Sequence, residues 1–161
     1  MIRIGIICPS EIALRRFIPA LQQAGDCIKF AAIGIASSEE WFGNIESISQ
    51  EQIDEQQSRE RAKAQVFVDQ YGGEIVVGYE NLVSADAIDA VYIPLPPALH
   101  HKWAKKAIEV GKHVFVEKPS TTSLADTEDL IEMASQKGLA LHENYMFISV
   151  SYTHLTLPTT S

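Results

Sequence analysis

Residues 2–25 read IRIGIICPSEIALRRFIPALQQAG, and the change of period inside this stretch decides the fold. Residues 2–8 are a nearly continuous apolar run rich in isoleucine. A run that is apolar at nearly every position, rather than at every second one, suits a strand buried on both faces. Pro9-Ser10 breaks the run. Beyond it Ala13, Phe17, Ala20, Leu21 and Ala24 recur at helical spacing until Gly25 stops them. A buried strand that turns straight into a helix is the opening of an α/β unit.

The same alternation continues outward. Strands are expected at residues 27–36, 75–77, 88–93, 113–116 and 139–141. Helical runs cover residues 59–71, a face marked by Trp103, Ala104, Ala107 and Ile108, and a stripe of Leu124, Leu130, Ile131 and Ala134. Ser123, with Asp126 three residues on, is close to a capping box at the start of that last helix. Four helices run into a glycine (Gly25, Gly72, Gly111 and Gly138), the residue that takes a left-handed C-cap most easily. Alternating strands and helices imply a doubly wound parallel sheet of Rossmann type, covered on both faces and joined by right-handed crossovers. Residues 39–58 do not fit. They are rich in Gln and Glu, lack a clear period, and are expected to be an inserted surface loop or loose helix.

The chain has 161 residues, is 46% apolar and carries a net charge of −8 with no block of Lys or Arg. That supports one domain with a real core and disfavours nucleic acid as a partner. A phosphate can still be bound locally by backbone N–H groups. No stretch is long enough for a membrane span or a signal segment, so no membrane partner and a cytoplasmic location are expected. The two cysteines, Cys8 and Cys27, fall in expected strands and read as small core residues. His100, His101 and His113 raise the question of a metal. The first two are adjacent and point apart on a helix, and no Cys or carboxylate completes a set, so no metal is expected. His113 reads as a satisfied residue at a strand start, and Trp103 as helix-face packing.

The turn after the first strand, Cys8-Pro9-Ser10-Glu11-Ile12-Ala13, is the candidate cofactor site. In a Rossmann unit this turn presents N–H groups and a helix N-terminus to a pyrophosphate. The three places that the fingerprint reserves for glycine hold Cys8, Ser10 and Ala13, so the motif alone is weak. At the tip of the second strand, where an NAD enzyme usually places a carboxylate on the ribose, the sequence has Ser37 and Ser38, with Glu39 and Glu40 just behind. The serines tolerate a 2′-phosphate, which leans the expectation to NADP over NAD. No Arg is adjacent, and NAD remains the alternative.

From Val91 onward the chain reads Tyr-Ile-Pro-Leu-Pro-Pro-Ala-Leu-His-His, then a helix, then Gly-Lys-His-Val-Phe-Val-Glu-Lys-Pro. Over about its first 149 residues the chain resembles the glucose–fructose oxidoreductase, inositol dehydrogenase and rhizopine-catabolism (Gfo/Idh/MocA) family. The resemblance is carried by Glu117-Lys118-Pro119 after a strand and before a helix, by the Pro94-Leu95-Pro96 turn and His100 in the family's order, and by His142-Glu143-Asn144-Tyr145-Met146. An arbitrary Glu-Lys-Pro would be a solvated charge pair at a strand end; this context favours the functional reading. The resemblance implies that Lys118 is the catalytic group, holding the reacting hydroxyl or carbonyl oxygen. It implies that Pro94, Leu95, Pro96, His100, Glu117, Pro119 and Glu143 line the cofactor, with a cis bond near Pro119. The substrate class it implies is a sugar, cyclitol or nucleotide sugar, and Arg15-Arg16-Phe17-Ile18-Pro19-Ala20-Leu21 resembles members that act on sugars or nucleotide-linked sugars.

Members of that family carry a second, substrate-binding domain, expected to be missing here, so the chain alone should be inactive. The full-length parent is expected to be a homo-oligomer. Residues 150–161 continue no family pattern. Ten of them, from Val150 to Thr159, match one reading frame of a transposase adapter used in sequencing libraries, and this tail is expected to be a processing scar. Two function classes remain open: an oxidoreductase acting through Lys118, and a non-catalytic dinucleotide-binding module such as a sensor or degenerate paralogue. The weakened glycine fingerprint points to the second; the intact Glu117-Lys118-Pro119 points more strongly to the first. A structural Rossmann domain without a ligand is disfavoured by the proline-rich turn and Lys118 together.

Overall fold

A computed structural model describes residues 1–145. Six parallel strands form one sheet in the order β3-β2-β1-β4-β5-β6. The strands are β1 (Ile2–Ile7), β2 (Ile28–Ile35), β3 (Glu74–Val77), β4 (Ala90–Ile93), β5 (His113–Glu117) and β6 (Leu141–Asn144). The strand order reverses between β1 and β4, and in such sheets the crevice at that reversal, outside the carboxyl ends of the strands, is where ligands bind.

The isoleucines of β1 explain its central place. Ile4 and Ile6 face one side and join a core with Ala13, Ile18, Ala64 and Phe67. Gly5 and Ile7 face the other side, where a side chain at Gly5 would meet Leu82 and Ile88. Ile4, Ile6 and Ile7 are fully buried, each worth about 1.5–3 kcal/mol relative to exposure. The first side is covered by a π-helical segment (Ala13–Phe17) that runs into α1 (Ile18–Gln23), and by α3 (Gln50–Tyr71). The second is covered by α4 (Tyr79–Ser84), α5 (His100–Glu109) and α6 (Leu124–Lys137). At the opposite edge of the switch point, Arg3 grips both carboxylate oxygens of Asp89, at 2.7 and 2.9 Å, and pins β1 to the start of β4.

Gly25, Gly72, Gly111 and Gly138 all have positive φ, as their placement after helices requires. Ser123 accepts a hydrogen bond from the Asp126 amide and caps α6. Several sequence expectations need correction. Of the stripe expected to face inward on α6, Leu130 and Ala134 are buried, whereas Leu124 and Ile131 are exposed. Residues 39–58 are largely helical: α2 (Ser38–Phe42) opens on Ser37, and α3 begins at Gln50 on a Ser49/Gln52 capping box. The inward stripe of α3 is Gln56, Glu60, Ala64 and Phe67, so its first half buries polar side chains and shows no apolar period. Cys27 is exposed in a 3-10 turn, so only Cys8 is partly interior. The last strand begins at Leu141, not at Leu139. Met146, the boundary at residue 149 and the tail at 150–161 lie outside the described residues.

Candidate functional site

The first turn keeps the backbone shape of a glycine fingerprint without its first glycine. Cys8 has φ 81°, a conformation in which non-glycine residues are strained. Its N–H donates to the Gly34 carbonyl (3.2 Å), and its carbonyl accepts from the Ser10 N–H (2.9 Å), which folds the chain sharply over the end of β2. Burial pushes both the Cys8 thiol and the neighbouring Tyr79 hydroxyl above their ordinary pKa. Ala13 is fully buried, so the helix packs tightly on the sheet as the fingerprint's third position demands. The Ser10 hydroxyl accepts from the Ala13 N–H (3.3 Å). Glu11 and Ile12 open the helix that follows, and the N–H groups of a first helical turn have no intrahelical acceptor. Two open donors at the carboxyl end of β1 are what a pyrophosphate needs, so the turn fits a dinucleotide.

At the tip of β2 the two acids behind the serines have separate tasks. Glu40 takes the N–H groups of Ser37 and Tyr79 on one oxygen (both 2.8 Å) and of Glu80 on the other (3.0 Å). It is therefore spent on capping α2 and α4. Glu39 accepts from the Ser37 hydroxyl (3.1 Å) and remains the acid nearest the corner. The Ser37 hydroxyl is the N-cap of α2, accepting from the Glu40 N–H (3.2 Å).

β5 delivers Glu117 and Lys118 to the carboxyl edge of the sheet, and the Lys118-Pro119 peptide is cis. Lys118 is exposed, and among the described residues its ammonium has no ion pair or hydrogen bond. Glu117 is only 9% exposed and accepts from the Tyr92 hydroxyl and from the Asn144 amide (2.6 Å). The turn that follows is braced from two sides. Glu143 on β6 accepts from the Ser120 N–H (2.6 Å). His100 sets one ring nitrogen 2.8 Å from the Pro119 carbonyl and the other 2.6 Å from the Leu95 carbonyl. His100 is 0% exposed and ties the Pro94-Leu95-Pro96 loop to the Lys118 turn. Glu143 likewise holds backbone. Both side chains thus brace the turn that carries Lys118.

Sequence reading missed Tyr92, Phe17 and Asn144. Tyr92 and Asn144 carry polar tasks that short strands hide, Tyr92 in a strand buried at every position, and Phe17 is the ring on which Tyr92 stacks. His101 is turned outward from His100 and pairs with Asp129 (2.8 Å), and the His113 ring accepts from the Ala140 N–H (2.9 Å). Trp103 packs edge-on against Tyr79 in the core. No group of His, Cys, Asp and Glu suited to a metal occurs among the described residues. Nor is any described helix long and apolar enough to cross a membrane.

Fold and site together define a dinucleotide-binding α/β domain with an unpaired lysine at the carboxyl edge of its sheet. The model of the oxidoreductase family with an NAD-binding Rossmann fold, the Gfo/Idh/MocA family, matches residues 2–145. The chain belongs to that family. It is 40% identical over 147 residues to a dTDP-3,4-didehydro-2,6-dideoxy-alpha-D-glucose 3-reductase of Actinomadura kijaniata, and 37% identical to that of Saccharopolyspora spinosa. These matches cover 91% of this chain and 37% of each relative, so the chain spans well under half their length. A solved 3-ketoreductase of Actinomadura kijaniata, KijD10 in complex with NADP and TDP-benzene, superposes with a TM-score of 0.71 at 38% identity. That match covers 91% of this chain and 38% of that one.

Proposed function

We propose that this chain is the cofactor-binding part of a longer cytoplasmic, homo-oligomeric oxidoreductase that uses NADP and acts on a nucleotide-linked sugar. The observation that carries the reading is the unpaired Lys118, held by a braced cis-proline turn beside the switch point. The likeness to sugar 3-reductases and to an NADP-bound ketoreductase supports the substrate class and the cofactor.

The residues divide the work. Backbone N–H groups at Glu11 and Ile12 take the pyrophosphate. Pro94, Leu95 and Pro96 form the wall beside it, and Ser37 and Ser38 border the adenosine ribose. The nicotinamide, when bound, supplies or takes the hydride. Lys118 donates a hydrogen bond to the reacting sugar oxygen. As a carbonyl is reduced, its charge offsets the developing alkoxide and its proton completes the hydroxyl. A second domain would hold the sugar in reacting geometry, so the chain alone should show no turnover.

Titrating NADP and NAD into the protein by fluorescence tests the cofactor. NADP should bind more tightly; tighter NAD binding would sink the reading and make Glu39 the ribose ligand. A non-catalytic binding module is the second reading, favoured by the strained Cys8 where catalytic relatives of the fold commonly keep glycine.

A further inference from the structure

We propose that Lys63, on α3, supplies the positive charge for the 2′-phosphate of bound NADP. The inference rests on the NADP reading and names the residue responsible for it. A phosphate dianion in a chain of net charge −8 needs a cation, and the usual place for one is empty. Between Lys29 and Arg59 the sequence contains no Lys or Arg. The tip of β2 therefore offers only hydroxyls and the Glu39 carboxylate.

The missing cation arrives from the next element. Gln57 near the start of α3 donates to the Ala36 carbonyl (2.8 Å), which docks that helix against the tip of β2. Further along, Lys63 lines a cleft of about 470 Å³ together with Pro9, Ser10 and Glu11 of the phosphate-binding turn. Cys8 lines the same cleft, so the Lys63–Glu60 ion pair stands beside the turn. Lys63 is exposed, yet its ammonium is set 2.7 Å from Glu60, whose side chain is only 3% exposed. Glu60 thus positions the ammonium at the cleft. Glu11, the other charge lining it, is paired with Arg15 at 3.2 Å. Arg59, one turn earlier on α3, lines a separate pocket against Trp41 and Phe42.

The test is a titration of NADP and NAD into the wild-type protein and the variants Lys63→Met, Lys63→Arg and Arg59→Met, with thermal unfolding recorded for each. Lys63→Met should raise the Kd for NADP about ten-fold or more and change that for NAD less than about three-fold. Lys63→Arg should restore most of the NADP affinity, and Arg59→Met should change neither cofactor's Kd. Equal losses of NADP and NAD would overturn the proposal and assign the charge to the pyrophosphate or to the fold. An unchanged NADP affinity in Lys63→Met, or a loss confined to Arg59→Met, would overturn it as well. If the wild type prefers NAD, the NADP reading has failed; if it prefers NADP and Lys63→Met does too, only the role of Lys63 has failed.

Discussion

The Tyr92 hydroxyl donates to the Glu117 carboxylate from a ring that stacks on Phe17, centroid to centroid 3.6 Å and nearly parallel. The pair joins β4 to β5 directly beneath Lys118, and Asn144 closes it from β6. Three neighbouring strands are thus fixed by one carboxylate at the end where the chemistry is placed. Tyr92→Phe keeps the stack and removes the donor, leaving a mostly buried carboxylate with the Asn144 amide alone. Stability should fall by about 1.5–3 kcal/mol, the range for a hydrogen bond to a charged group. Urea unfolding measures it; an unchanged midpoint would mean that the contact contributes nothing.

Lys118→Ala separates chemistry from scaffold. The side chain is exposed and unpaired among the described residues, so the fold should not notice its loss. In the full-length enzyme kcat should drop by about two to four orders of magnitude, as expected for a general acid/base group. NADP affinity should stay within a few fold. Turnover that survives within a few fold would remove Lys118 from the catalytic role and favour the binding-module reading.

The two buried tyrosines give the stability curve an alkaline limit. Burial raises the pKa of Tyr79 and Tyr92, reinforced by the neighbouring Cys8 and Glu117 respectively. In the unfolded chain both ionise near pH 10. Folding therefore keeps them protonated where the unfolded state has lost its protons. Their contribution is whole below about pH 10 and is lost as pH rises from there towards the raised folded values. Unfolding free energies measured from about pH 8 to 11 should fall steeply at the top of the range. Tyr92→Phe should flatten the fall, and a flat wild-type curve would contradict it.

The strand–turn–helix order was legible because β1 is apolar on both faces, and the glycine stops were legible because positive φ selects glycine. The first half of α3 was not. A helix is read by the period of its apolar stripe, and here Gln56 and Glu60 occupy the stripe, with Glu60 made tolerable inside by Lys63. Glu117 and Lys118 were found through their motif, but Tyr92 was hidden, since a tyrosine in a fully buried strand reads as core. The bracing contacts of His100 were not legible either. Sequence order puts it beside the loop but cannot show that both ring nitrogens turn inward to carbonyls. Lys63 was missed because nothing in the spacing of α3 relates it to the turn at Cys8.

His100 sits between two carbonyl oxygens, and a carbonyl only accepts. One ring N–H can donate to one of these carbonyls, and the tautomer decides which. No other aromatic side chain sets two ring nitrogens against two loops at once, so another ring cannot replace the histidine. His100→Phe keeps a buried aromatic and removes both ring nitrogens, leaving the Leu95 and Pro119 carbonyls without this partner. Each orphaned group costs about 1–3 kcal/mol. Beyond that stability loss, the Lys118 turn and the Pro94-Leu95-Pro96 loop would no longer be tied together. In the full-length enzyme kcat should then fall and the KM for NADP rise together, because one loop holds the reacting lysine and the other the cofactor wall. Circular dichroism and urea unfolding report the first effect, steady-state kinetics the second. A variant that is destabilised but keeps wild-type kcat and KM would show that the histidine serves the fold alone.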